Sequence, residues 1–180
     1  MRLLILDRDG VINQESPHFI KSAAEWIPIP GSLRAICRAN QAGYRIFVVS
    51  NQSGLARGKL DIEALNSIHH ALHRAVQLAG GRIDGIFFCP HAPESNCTCR
   101  KPKTALIEDL AARAGADLAA AVLVGDRASD IEAARAVGAR AILVRTGHGA
   151  EYAAAFAGEA QVTVCDDLAA AVALLTEEGA

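Results

Sequence analysis

Leu3-Leu4-Ile5-Leu6-Asp7-Arg8-Asp9-Gly10-Val11 holds the most informative pattern in the sequence. Four aliphatic residues run into two carboxylates one residue apart, followed by a glycine. A short all-apolar run bounded by polar residues suits a central strand buried on both faces. Charge cannot continue inside such a strand, so Asp7 marks its C-terminal end. In open α/β sheets that edge is where ligands bind. Gly10 lets the chain turn sharply and approach a ligand. Two carboxylates this close repel unless a cation or a shared proton lies between them. The edge therefore reads as a metal-assisted site.

Outward from this strand the pattern alternates. It predicts strands over 3–7, 44–49, 83–88, 121–124 and 141–144, with a short one at 162–164. Helices are expected over 32–42, 61–79, 104–114, 129–137 and 168–175. The helix over 61–79 is expected to open on Asp61 and to bury Ile62, Leu65, Ile68, Leu72 and Val76. Ser22-Ala-Ala-Glu25 and Ser129-Asp-Ile-Glu132 read as capping boxes. Strands alternating with helices imply right-handed crossovers and one parallel sheet. The expected class is α/β, a Rossmann-like three-layer sandwich in a single domain over residues 1–180. Trp26 is expected to pack the first loop onto the core. His69, His70 and His73 are read as solvated; His148, after the fifth strand, is within reach of the site but reads more readily as part of a surface turn.

The 180 residues are 51% hydrophobic and 21% charged, with a net charge of −2. That balance favours neither nucleic acid nor an anionic membrane as partner. No apolar run approaches the length of a membrane span. With strand beginning at residue 3, no secretory leader is expected. Five cysteines, three of them clustered, fit reduced thiols and a metal better than a disulfide framework. The expected compartment is the cytoplasm, and the expected state a monomer.

Three strands end in polar, Gly-containing turns: Asp7-x-Asp9-Gly10, Ser50-Asn51-Gln52 and Gly125-Asp126. In a parallel sheet these turns share one edge. Asp7, Asp9 and Asp126 supply hard oxygen ligands of the kind magnesium takes. Ser50 adds a hydroxyl and Lys101 a fixed positive charge, which suit a phosphoryl group in transfer. There is no Gly-x4-Gly-Lys-Ser/Thr loop for a P-loop nucleotide site. A carboxylate can itself attack phosphorus and split one hard step into two. Asp130 reads equally well as a helix cap or as part of this chemistry.

Cys89-x-His91-x5-Cys97-x-Cys99 offers three thiolates and one imidazole within eleven residues. This is a complete tetrahedral set with no open position, and it reads as structural zinc in a loop over 89–102. Arg100 and Lys101 follow the last ligand directly, so holding Cys99 directs both cations.

Taken together, Asp7-x-Asp9-Gly10, Ser50, Lys101 and Gly125-Asp126-x3-Asp130 resemble the four ordered motifs of the haloacid-dehalogenase-like phosphatases. That resemblance implies Asp7 as nucleophile and Asp9 as the acid that protonates the leaving oxygen and then activates water. It implies Ser50 and Lys101 as phosphoryl holders. It also implies magnesium bound by Asp7, the backbone carbonyl of Asp9, and Asp126.

Within that superfamily, three blocks are similar to the heptose bisphosphate phosphatase branch. These are Asn51-Gln52-Ser53-Gly54-Leu55-Ala56-Arg57-Gly58, the zinc loop through Arg100-Lys101-Pro102, and Arg145-Thr146-Gly147. The implied substrate is a small sugar bisphosphate on the way to the heptose of lipopolysaccharide core. The implied contacts are Asn51, Gln52, Ser53, Arg57, Arg100 and Arg127, with Glu15, Ser16, Pro17 and His18 closing over. Arg127 stands where that branch often has lysine, and the 15–18 loop departs from a simpler Gly-Tyr pattern. The histidinol-phosphate phosphatase branch shares the zinc loop and the Gly125–Asp130 block. Ser53 and Arg57 favour the heptose branch. No large cap domain fits between the motifs.

Overall fold

The structure, a computed structural model, describes residues 2–178. Six strands form one sheet: β1 (Arg2–Leu6), β2 (Tyr44–Asn51), β3 (Gly85–Cys89), β4 (Ala121–Gly125), β5 (Arg140–Val144) and β6 (Val162–Cys165). Their order is β3-β2-β1-β4-β5-β6, and every pairing is parallel. Six helices connect them: α1 (Ser32–Gln41), α2 (Ile62–Leu78), α3 (Ala105–Ala114), α4 (Ala128–Ala136), α5 (Gly149–Phe156) and α6 (Leu168–Glu177).

Period-two alternation divides each central strand between two layers. Leu4, Leu6, Ile46, Val48, Val122 and Val124 face α1, α2 and α6, where Ile36, Ile68, Leu72 and Val172 complete the cluster. Leu3, Ile5, Phe47, Val49 and Leu123 face the opposite layer, with Ile107, Leu110, Ile131 and Phe156 from α3, α4 and α5. Leu3 to Leu6 are all fully buried, as a strand covered on both faces requires. Trp26 lies in the first cluster and ties the loop after β1 to the core.

The winding reverses between β1 and β4. One half of the sheet grows outward through β2 and β3, the other through β5 and β6. At such a switch point the loops after two adjacent strands diverge and leave a crevice. Asp7 directly follows β1 and Asp126 directly follows β4, so the sheet order alone makes them neighbours.

Several local expectations change. α5 is an additional helix, and its His148 N-cap offers no side-chain bond. Ser22 makes no capping bond to the short 3-10 turn Ala23–Glu25; Glu25 instead accepts from the Lys21 backbone N–H and from Lys21 Nζ. α4 begins at Ala128, so the box shifts: Asp130, not Glu132, reaches back to accept the Arg127 N–H at 3.0 Å. Ile62 is 43% exposed at the start of α2, while Leu65, Ile68, Leu72 and Val76 are buried. His69 is not solvated. Its Nε2 is buried, and its ring packs on Phe88 with centroids 5.7 Å apart.

Candidate active site

A cavity of about 510 Å³ opens at the C-terminal edge of the sheet over the switch point. Asp7, Asp9, Ser50, Asn51, Gln52, Ser53, Arg57, Arg100, Lys101 and Arg127 line it. Glu15, Ser16 and Pro17 form part of its mouth. His18 does not. It is exposed, and Phe19 and Ile20 line the wall instead. Phe19 adopts a positive φ of 63°, and that local turn carries the chain past His18.

Lys101 sits at the centre. Its Nζ lies 3.0 Å from Asp7 Oδ1, 2.7 Å from Asp130 Oδ1 and 2.7 Å from the Val49 carbonyl. The residue is 4% exposed, so these contacts operate in a poorly hydrated site. Burial disfavours the charged ammonium, but Asp130 and Asp7 outweigh it and hold its pKa above the usual lysine value. Asn51 fixes the lysine's backbone: its Oδ1 accepts the Lys101 N–H at 3.0 Å and its Nδ2 donates to the Lys101 carbonyl at 3.1 Å. The Asn51 amide is thus engaged within the protein.

Asp7 takes the Arg8 backbone N–H at 2.8 Å on the same Oδ1 that meets Lys101. Burial, then repulsion from Asp130 and Asp9, outweigh Lys101 and push Asp7 up to about 7. Asp126 is fully buried. Its Oδ2 accepts the His148 backbone N–H at 2.8 Å, and its Oδ1 has no hydrogen-bond partner among the described residues. Burial and then Asp7 push it up to about 8.

Oxygen atoms of Asp7, Asp126 and Asp130 all lie within 4.8 Å of one another. Three carboxylates around an unpartnered buried oxygen fit a hard divalent cation, and the all-oxygen donor set fits magnesium. Asp130 is already bonded to Lys101 and to the Arg127 amide, which leaves Asp7 and Asp126 as the freer pair.

Space for this pair depends on two glycines. Gly10, at φ +80°, and Gly147, at φ +59°, both approach Asp126; a Cβ on either would collide with its Oδ2. Thr146 Oγ1 donates to the Gly10 carbonyl at 2.6 Å and locks the two turns together. The Arg145-Thr146-Gly147 block is therefore the outer wall of the carboxylate cluster.

Asp9 is held differently. Arg8 Nη2 donates to both its oxygens at 2.9 Å, Asn13 Nδ2 to Oδ1 at 2.8 Å and Gln52 Nε2 to Oδ2 at 2.9 Å. Burial opposes ionisation, but Arg8 and then Asn13 and Gln52 outweigh it and keep Asp9 below the usual carboxylate value. Gln52 Nε2 also donates to Ser50 Oγ at 2.7 Å, so the Gln52 side chain too is engaged internally. Arg8, Asn13 and the His148 amide are absent from the sequence reading. The available signal is Arg8 itself, a cation just past a fully buried strand with a carboxylate on either side.

Cys89, His91, Cys97 and Cys99 converge with all four ligand atoms within 4.8 Å of one another. Cys89 Sγ lies 3.6 Å from Cys97 Sγ and 3.2 Å from Cys99 Sγ, and His91 Nδ1 lies 3.2 Å from Cys99 Sγ. Such separations suit the edges of a small tetrahedron, and a three-sulfur, one-nitrogen set suits zinc. The loop is tied to its neighbours by Ala56 N–H donating to the Pro90 carbonyl at 3.3 Å and by Arg57 facing Glu94 at 3.4 Å.

Comparison with known proteins gives a consistent answer. A family model described as HAD-hydrolase-like matches residues 98–171. The D-glycero-β-D-manno-heptose-1,7-bisphosphate 7-phosphatase of Bordetella bronchiseptica is 47% identical over 99% of both chains. The Pseudomonas aeruginosa enzyme of the same name is 45% identical, covering 97% of this chain and 98% of its own. The crystal structure of the B. bronchiseptica D,D-heptose 1,7-bisphosphate phosphatase, complexed with magnesium and phosphate, superposes with a TM-score of 0.94 over 99% of each chain. With this identity end to end, the chain belongs to the D-glycero-β-D-manno-heptose-1,7-bisphosphate 7-phosphatase family of HAD-like hydrolases.

Proposed function

We propose that the protein removes the 7-phosphate of D-glycero-β-D-manno-heptose 1,7-bisphosphate through an aspartyl-phosphate on Asp7. The observation that carries this reading is the convergence of Asp7, Lys101 and Asp126 at the switch point of a chain matching the family along its whole length. The product feeds the heptose precursors of lipopolysaccharide core.

Both contacts on Asp7 fall on Oδ1, so Oδ2 is the oxygen available to attack phosphorus. As the Asp7–phosphorus bond forms, the bond to the sugar oxygen breaks, and Asp9 delivers a proton to that oxygen. The approaching phosphate works against Arg8 and favours protonated Asp9 when the proton is needed. Asp9, now a carboxylate, then takes a proton from water. The water attacks phosphorus, phosphate leaves, and the Asp7 carboxylate is regenerated. Lys101 and Ser50 hold the phosphoryl oxygens throughout. Arg57 and Arg100 suit the second phosphate; Arg100 Nη1 is a buried donor with no partner among the described residues. Glu15, Ser16 and Pro17, with Ser53 and Arg127, frame the sugar.

Asp7, Asp126 and the Asp9 backbone carbonyl would hold magnesium. When bound, it supplies positive charge to the phosphoryl oxygens and offsets the repulsion between the two carboxylates. Zinc on Cys89, His91, Cys97 and Cys99 would hold the 89–102 loop and so direct Arg100 and Lys101. We read the chain as one domain acting as a monomer, since a single copy builds the cavity. Five cysteines, none in a disulfide, suit the reducing cytoplasm.

The test is phosphate release, with magnesium, over a panel of sugar phosphates, the heptose bisphosphate and histidinol phosphate. Preferential release from the bisphosphate is expected, and Asp7→Asn abolishes it. A clear preference for histidinol phosphate overturns the substrate. If the parent and Asp7→Asn alike release nothing from any phosphomonoester, the enzyme reading is overturned.

A further inference from the structure

Arg8 is among the largest fully buried side chains, at 1% exposure, yet it takes no part in the bonds made and broken above. Its guanidinium grips the neighbouring carboxylate. Nε lies 3.1 Å from Asp9 Oδ1, and Nη2 lies 2.9 Å from both Oδ1 and Oδ2. Nη2 also reaches Gln52 Oε1 at 3.3 Å. Gln52 in turn bonds Asp9 Oδ2 and Ser50 Oγ. The result is a closed ring: Arg8 holds Asp9 and Gln52, and Gln52 joins Asp9 to the phosphoryl-binding serine.

Burying an ion pair is unfavourable, and apolar residues of similar volume in place of both partners are often no worse for stability, although losing one partner alone is costly. Stability therefore gives no reason for an ion pair at this place. A planar fork, by contrast, fixes both the position and the rotation of a carboxylate, which an ammonium cannot do. Behind it His69 adds no second charge: burial, then Arg8, lower it to about 4.

We propose that Arg8 is a positioning residue that sets Asp9 for proton delivery to the leaving oxygen and couples it through Gln52 to Ser50. This rests on the reading of Asp9 as the proton donor. Misplacing a reacting group by about 1 Å lowers a rate on the order of 10²-fold. The defect should depend on the leaving group. A sugar alkoxide needs a proton to depart, whereas p-nitrophenolate leaves as a stable anion.

The experiment measures kcat/KM, which reports the steps through phosphoryl transfer to Asp7, for the heptose bisphosphate and for p-nitrophenyl phosphate. Wild type, Asp9→Asn, Arg8→Met and Arg8→Lys are compared, with thermal unfolding as the check on folding. Arg8→Met is expected to lose about 10²-fold on the sugar substrate and only a few-fold on p-nitrophenyl phosphate, following Asp9→Asn. Arg8→Lys, which keeps the charge without the fork, should show the same selectivity to a smaller extent, and it decides the matter if Arg8→Met does not fold. Equal losses on both substrates, or none on either, overturn the role of Arg8. If Asp9→Asn itself shows no leaving-group selectivity, the assignment of Asp9 falls instead.

Discussion

Replacing Lys101 with methionine removes a cation that two buried carboxylates share, at 2.7 and 3.0 Å. Deleting one partner of a buried ion pair typically costs about 3–5 kcal/mol, because the other charge stays buried and uncompensated. Asp7 already titrates at about 7, so near neutral pH it can take a proton at little further cost. Most of the penalty then falls on Asp130, and the lower end of the range, about 3 kcal/mol, is the better figure. For a chain of this length that corresponds to a fall in Tm of roughly 6–12 °C. Methionine matches the lysine stem in volume, so little of the change should come from packing. The assay pairs thermal unfolding by circular dichroism with phosphate release. In Lys101→Met/Asp130→Asn the orphaned charge is gone, and the side-chain amide introduced by Asp130→Asn can still accept the Arg127 N–H that now caps α4. The double variant should recover most of the lost Tm but no turnover. Recovery of turnover, or a single variant as stable and active as the parent, would rule out this role for Lys101.

Three more outcomes follow from the same geometry. Gly10→Ala introduces a side chain at φ +80° and drives its Cβ into Asp126 Oδ2. About 1–2 kcal/mol of backbone strain should lower Tm by a few degrees, and the magnesium needed for half-maximal activity should rise. Stripping metal from the cysteine cluster with a strong chelator, followed by assay in excess magnesium, should abolish activity and open residues 89–102 to protease, with both effects reversed by zinc. Unchanged turnover after demonstrated metal loss would exclude a role for the loop in setting Lys101. Finally, Asp7 and Asp126 titrate at about 7 and about 8 against an ordinary value of 3.8. Carboxylates raised by folding favour the native state when protonated, so in the ion-free protein that contribution is lost as pH climbs through 7 and 8. Magnesium held by the deprotonated pair, as proposed above, should confer a Tm increment that grows between pH 6 and pH 9. An increment independent of pH contradicts this.

The sheet is legible in the sequence because its central strands are buried on both faces and read as unbroken apolar runs, Leu3–Leu6 and Ile46–Val49 above all. The position of Asp7 and Asp126 follows from chain connectivity, since each is the first residue past a strand. What lies in side-chain conformation is not legible. Nothing in the spacing says that the Asn51 amide clamps the Lys101 backbone, or that Gln52 bridges Asp9 to Ser50. α5 escapes notice because Gly149-Ala-Glu-Tyr-Ala-Ala-Ala-Phe156 starts on a poor helix former and has no capping side chain. His69 reads as solvated because it shares α2 with exposed His70; only the tertiary packing of Phe88 covers it.

The central place of β1 has a consequence for synthesis. β1 pairs with β2 on one side, but its other edge waits for β4 at residues 121–125, after the whole of β3 and the 89–102 loop has been translated. Until then the nascent chain exposes Leu3–Leu6 with a row of unmatched amides and carbonyls, a template for pairing with other chains. Fragments ending before residue 121 should therefore aggregate, and yield in the cell should respond to chaperone supply and to slower translation at low temperature.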